Sequence, residues 1–140
     1  MSKIQVKNVY KIFGAKADAA LAMIRQGKSK AEVLAATDCV VGVNDLSLSI
    51  EAGEIFVIMG LSGSGKSTLV RHFHRLIDPT SGQILVDGED VLGYDAAALE
   101  NFRRRKISMV FQSFGLLPHK SVLDNVAYGL KIRGESKALC

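Results

Sequence analysis

The sequence predicts an α/β fold from three observations. Ile55-Phe56-Val57-Ile58-Met59 is an unbroken apolar run, the pattern of a strand buried on both faces. A glycine-rich loop follows at once, and beyond it Leu69, Val70, Phe73, Leu76 and Ile77 recur at helical spacing. Near the start, apolar and polar residues alternate along Ile4–Val9 and again along Val41–Ile50, as half-buried antiparallel strands do. With 140 residues, 48% of them hydrophobic, the chain holds apolar material for one core.

Between the first two strands, residues 15–38 change character. Ala19, Ala20, Leu21, Met23 and Ile24 make a short helical run that breaks near Gly27. Ser29-Lys30-Ala31-Glu32 has the spacing of a capping box and starts a second helix through Val33, Leu34 and Ala35. This pair reads as an insertion between strands. Glu51-Ala52-Gly53-Glu54 supplies a turn before the apolar run at 55–59.

Further on, Asp78-Pro79 ends the helix that follows the glycine-rich loop. Ile84–Val86 is a short strand closed by Asp87-Gly88, a hairpin-turn pair. Asp95 caps a helix over Ala96–Arg104, and Ile107–Phe111 is a second apolar strand. After an irregular loop at 112–120, Ser121 with Asp124 caps a last helix whose apolar face is Val122, Leu123, Val126, Ala127 and Leu130.

Composition excludes several classes. A net charge of +4 is too small and too dispersed for a nucleic-acid footprint. The one dense basic cluster, Arg103-Arg104-Arg105-Lys106, closes a predicted helix, where cations suit the negative end of the dipole. Cys39 and Cys140 form no CxxC pair and no disulfide framework. No stretch of eighteen apolar residues spans a bilayer, and the amino terminus has no signal-peptide pattern, so a cytoplasmic chain is expected.

The chemistry concentrates in Gly60-Leu61-Ser62-Gly63-Ser64-Gly65-Lys66-Ser67-Thr68, which fits G-x-x-x-x-G-K-[ST], the P-loop. Nucleotide phosphates need several backbone N–H groups pointing inward, and glycines let the backbone curl that tightly. The helix opening near Gly65 adds its positive end. Lys66 places a point charge between the β- and γ-phosphates, the Ser67 hydroxyl is a hard ligand for Mg²⁺, and Thr68 reaches the α-phosphate. Average composition would match the four specified positions at roughly 4 in 100,000 starting points, so a chance Gly/Ser linker is a poor rival. ATP with Mg²⁺ is therefore the expected ligand pair.

Other segments then align with one family. Ile107-Ser108-Met109-Val110-Phe111-Gln112 with Ser113-Phe114-Gly115-Leu116-Leu117-Pro118-His119 resembles the Q-loop of ABC transporter ATP-binding subunits. Ser121-Val122-Leu123-Asp124-Asn125-Val126 resembles the helix after it, and Pro79-Thr80-Ser81-Gly82 fits the same pattern. Phe13, in Lys11-Ile12-Phe13-Gly14, matches the aromatic that stacks on adenine. The insertion, with Glu54–Gly65 after it, is similar to the glycine betaine/proline importers, and the likeness covers essentially the whole chain.

The resemblance implies a P-loop NTPase of the ABC ATPase type, with an incomplete RecA-like core, an antiparallel β region near the amino terminus and a helical insertion. The whole of 1–140 would be the first part of one nucleotide-binding domain, with the insertion at about 15–38, the P-loop at 60–68 and the Q-loop region at 111–120. Gln112 would contact Mg²⁺ or the attacking water and so act with Lys66 in catalysis. Loop 113–120 and the helix from Ser121 would dock on membrane-spanning permease subunits. A second ATP-binding subunit would complete a dimer on the inner face of the cell membrane, coupling ATP binding and hydrolysis to transport of glycine betaine, proline or related osmolytes.

Several family parts do not occur in these residues: the signature Leu-Ser-Gly-Gly-Gln, a Walker B aspartate and glutamate, and a switch histidine. Ile84-Leu85-Val86-Asp87 imitates Walker B but is followed by Gly88, and reads better as a strand entering a hairpin turn. His72 and His74 read as ordinary helix residues, and His119 as a surface residue of the docking loop. These 140 residues alone are therefore expected to bind ATP without hydrolysing it, and to be poorly soluble or chaperone-dependent. The alternatives are a non-hydrolysing nucleotide-binding fragment and, from another class, a soluble P-loop small-molecule kinase, for which no arginine-bearing lid is evident.

Overall fold

The computed structural model describes residues 2–111, 115–136, 138 and 139, and divides the chain into two compact units, Met1–Gly93 and Tyr94–Cys140. In the first unit, β1 (Ser2–Phe13) lies between β2 (Val40–Glu51) and β3 (Ser81–Val86), and β4 (Glu89–Asp90) completes a four-stranded sheet of order β2-β1-β3-β4. Every pairing is antiparallel. Within Ile4–Val9 the predicted alternation turns Val6 into the core and leaves Lys7 out, and further along β1 Val9, Tyr10 and Ile12 are buried.

The register slips between Val6 and Val9 against β2 and between Lys7 and Tyr10 against β3. Asn8 and Asp45 both take positive φ there, the Asn8 amide donates to Asp45 at 2.9 Å, and the Asn8 backbone N–H donates to the Ser47 hydroxyl at 2.9 Å. Side chains thus satisfy backbone that the bulge takes off the ladder.

The insertion forms as predicted, with α1 (Ala17–Arg25) and α2 (Lys30–Thr37). Ala20, Leu21, Ile24 and Val33 pack with Tyr10, Ile12, Cys39 and Val41 into one buried cluster. Each large aliphatic in it contributes about 1.5–3 kcal/mol of burial. Phe13 pairs with Val40, so the helices are an excursion out of a continuous β1–β2 hairpin. The box at Ser29 is complete, because Ser29 accepts from the Glu32 N–H at 3.2 Å while Glu32 accepts from the Ser29 N–H at 2.8 Å. Those bonds hold the Glu32 carboxyl below its ordinary range.

Two expected strands do not form. Residues 54–60 and 107–111 carry no secondary structure, and Ile55, Met59 and Val110 are 91%, 86% and 97% exposed. A strand exists only where a neighbour accepts its ladder, and no described strand pairs with either segment. The helix after the P-loop, α3 (Lys66–Phe73), also stops one turn earlier than the apolar spacing suggests, before Arg75 adopts a positive φ. Asp87-Gly88 does form a tight turn into β4, with both residues at positive φ, as an Asp-Gly hairpin requires.

In the second unit, α4 (Ala96–Arg105) is capped by the Asp95 carboxylate, and Arg103, Arg104 and Arg105 fill its last turn. The last helix, α5 (Val122–Arg133), is capped by Ser121. Only Ala127 of its predicted apolar face is buried, while Val122, Leu123 and Val126 stand in solvent. Among the described residues no helix is long and apolar enough to cross a membrane.

Replacing Ser29 by Ala is expected to lower the opening free energy of α2 by about 1 kcal/mol, because the second donor of the box loses its acceptor. Hydrogen exchange of the amides of residues 32–37 checks this, with β1 amides as the unaffected reference.

Candidate nucleotide site

Residues 60–65 form an irregular loop at the start of α3. Gly60, Gly63 and Gly65 take φ of 156°, 77° and 93°, values that side chains resist, which is why the loop needs glycine at each. Ser64 N–H closes an internal turn on the Leu61 carbonyl at 3.2 Å. The Lys66 ammonium folds back over the loop and donates to the carbonyls of Gly60 at 2.7 Å and Leu61 at 2.6 Å, with the Ser64 hydroxyl at 3.4 Å. The cation therefore sits inside the curl of the loop. Ser67 is exposed on the first turn of α3, and Thr68 is half-buried beside it.

The loop is anchored at its last glycine. A Cβ on Gly65 would lie 2.3 Å from the Gly42 carbonyl oxygen, so strand β2 runs directly against the entrance of α3. Gly42 also meets Phe13, which is 40% exposed and lies under the Lys11 ammonium, 5.1 Å from the ring centroid. The structure thus brings Phe13, Gly60–Thr68 and β2 into one unit. Gln112, Ser113 and Phe114 lie outside the described residues.

Sequence reasoning missed the roles of two residues, one in each unit. His72, taken as an ordinary helix residue, is fully buried on α3 with its Nδ1 against the Thr68 carbonyl. A carbonyl only accepts, so Nδ1 carries the proton and the buried Nε2 has no hydrogen-bond partner among the described residues. Burial holds its pKa below the ordinary value of 6.5, against the opposing pull of the Thr68 carbonyl. His74 is buried as well. Helical spacing places 72 beside 69 and 73 on the inner face, but its polarity hid that.

Asn125 is the other. Its side chain accepts from the Leu117 N–H at 2.7 Å and donates to the carbonyls of Leu117, Lys120 and Ser121 at 3.1, 3.2 and 2.9 Å. One amide thereby ties the loop before α5 to the helix. Asp124, beside it, is held at a pKa of about 2 by the Lys131 ammonium and the Ser121 hydroxyl. Leu116, Leu117, Pro118, Val122 and Val126 line an open apolar groove along this loop and helix.

A profile of the ABC transporter family matches residues 43–139. The chain belongs to the ABC transporter family. It is 56% identical over 132 residues to the glycine betaine/proline betaine transport system ATP-binding protein ProV of Escherichia coli, covering 94% of this chain and 33% of that protein. To the glycine betaine/carnitine transport ATP-binding protein GbuA of Listeria monocytogenes it is 54% identical, covering 98% of this chain and 34% of the other. The ABC chain spans about a third of the length of the curated relatives it matches. Its insertion lies outside the family profile but inside both of these alignments. Among solved structures, the dimeric bacterial ABC transporter cassette MJ0796 superposes with a TM-score of 0.71 at 32% identity, covering 93% of this chain and 47% of that one. The fold is that of an ABC ATPase cassette, present here in part.

Protonating His72 would place a buried charge where Nε2 has no acceptor, and the folded state resists it. Its depressed pKa therefore contributes stability that is present above the unfolded value near 6.5 and is lost as pH falls through the lower folded value. His72→Leu is expected to flatten this part of the acid limb, read as pH-dependent hydrogen exchange of the α3 amides between about pH 7 and 5.

Proposed function

We propose that these residues form the nucleotide-binding part of an ABC importer's ATP-binding subunit, serving uptake of glycine betaine or a related osmolyte. The observation that supports this most directly is the cradle at 60–68, where positive-φ glycines curl the backbone around the Lys66 ammonium. The likeness to betaine-transport subunits, extending through the insertion, supports the substrate class.

The residues present fit Mg·ATP. The Lys66 ammonium is already held by uncharged carbonyl acceptors, and a β/γ-phosphate oxygen is a stronger, charge-assisted one. N–H groups at the start of α3 and the helix dipole favour the same anion. Ser67 would ligate Mg²⁺ and Thr68 would reach the α-phosphate, while the exposed Phe13 ring would stack on adenine. Bound Mg²⁺ would neutralise phosphate charge. Nucleotide binding is the activity to which these residues would contribute most directly.

Gln112 would sense the γ-phosphate, alone or through Mg²⁺. The loop to residue 120 and α5 would meet a permease subunit. In support of that surface, Leu116, Val122, Leu123 and Val126 are all more than two-thirds exposed, an apolar patch of the kind that marks a protein interface. In the complete subunit a second copy would close on the nucleotide, at the inner face of the membrane.

Lys66→Ala should weaken Mg·ATP binding by about a hundredfold or more, since it removes the charge that pairs with the β/γ-phosphates. Titration calorimetry measures this, and unchanged affinity would refute the phosphate assignment. Gln112→Ala should leave Mg·ATP affinity intact and depress osmolyte uptake by the complete transporter in vesicles. Full transport by that variant would remove Gln112 from the coupling path.

A further inference from the structure

We propose that Gly42 sets the position of the Phe13 ring, and so tunes affinity for the nucleotide base while leaving the phosphate cradle alone. This rests on the reading of Phe13 as the base platform. Gly42 does not occupy the left-handed region, so its backbone conformation is open to any residue. Space is what excludes a side chain. A Cβ there would lie 2.8 Å from Phe13 Cε2 and 3.4 Å from Cδ2, and its next neighbour is the Lys11 carbonyl oxygen at 3.5 Å. The first distance is closer than carbon atoms approach, so a methyl group would displace the ring.

The ring has little freedom to yield without losing its present place. The Lys11 ammonium that lies 5.1 Å from its centroid is itself tied to the Asp78 carbonyl at 2.8 Å. Phe13 is the last residue of β1 and pairs with Val40, so its backbone is fixed and only the side chain can turn. The other side of the same residue does a separate job. The Gly42 carbonyl abuts Gly65, whereas a Cβ on Gly42 would meet no P-loop atom among its three nearest neighbours. The base platform and the phosphate loop are thus spaced by one residue of β2, and a methyl group at Gly42 perturbs only the first.

The test compares Mg·ATP with inorganic tripolyphosphate, which carries the phosphates without a base, on the full chain and its variants. Phe13→Ala should weaken ATP about fivefold to tenfold and leave tripolyphosphate within about twofold. Gly42→Ala should show the same split. Adding Gly42→Ala to Phe13→Ala should cause no further loss, because the ring that the methyl group displaces is gone. If Phe13→Ala binds ATP like the parent, the platform reading falls and this proposal with it. If Phe13→Ala loses ATP affinity but Gly42→Ala does not, or if Gly42→Ala loses tripolyphosphate equally, the role of Gly42 is refuted while the platform stands. Should Gly42→Ala fail to fold, recovery of a folded chain in the double variant would support the ring contact. Failure of both would show that the methyl group meets something else.

Discussion

Placement within the first unit depends on β1 being hydrogen-bonded along both edges. Its pairing with β2 fixes where Gly42 lies, and with it the anchor of the P-loop at Gly65. Its pairing with β3 continues into the Pro79-Thr80 turn, where the Thr80 N–H donates to the Tyr10 carbonyl at 2.8 Å and the Ile12 N–H donates to the Thr80 hydroxyl at 2.9 Å. A polar turn thus extends the ladder beyond the end of the strand. Phe13 sits at the last rung, so its place is a property of the sheet rather than of a loop.

The insertion exploits the same strand. Tyr10 and Ile12 on β1, and Val41 on β2, form the floor on which Ala20, Leu21, Ile24 and Val33 pack. Short helices of this length are marginal alone and gain their stability from such a floor. Local signals made these helices legible: a capping box at Ser29, and apolar spacing from Ala19 to Ile24. Thr37 adds a detail that spacing cannot reveal. Its hydroxyl donates to the Val33 carbonyl at 2.7 Å and accepts from the Cys39 N–H at 3.3 Å, ending α2 and turning the chain back into β2.

What the sequence hid has a common physical cause. An apolar run records the environment a segment favours, whereas a strand also needs a partner, which only the assembled fold supplies. Ile55–Met59, expected to be buried on both faces, and Ile107–Phe111, expected as a second apolar strand, meet the first condition and not the second among the described residues. The apolar face of α5 repeats the lesson, since period alone says which residues share a face and nothing about what covers it. His72 shows the converse, a polar residue at an inward position. By contrast the P-loop, the Asp87-Gly88 turn and the caps at Ser29, Asp95 and Ser121 were legible because their partners lie within a few residues.

The cradle itself illustrates how a tight loop can be held by one of its own side chains. Three positive-φ glycines remove the steric penalty of so tight a curl. Lys66 then ties the curl from within by donating to the Gly60 and Leu61 carbonyls. On the proposed reading, phosphate binding is then an exchange: the ammonium trades neutral acceptors for charged ones, and the carbonyls of Gly60 and Leu61 turn to water. Because both states satisfy the lysine, the loop need not collapse between them. The gain on binding comes from the difference between a carbonyl and a phosphate as acceptor, reinforced by the amino-terminal end of α3. On that reading a loop built only of glycine and serine would curl as tightly and lack that difference, so Lys66, rather than the glycines, would give the curl its selectivity for an anion.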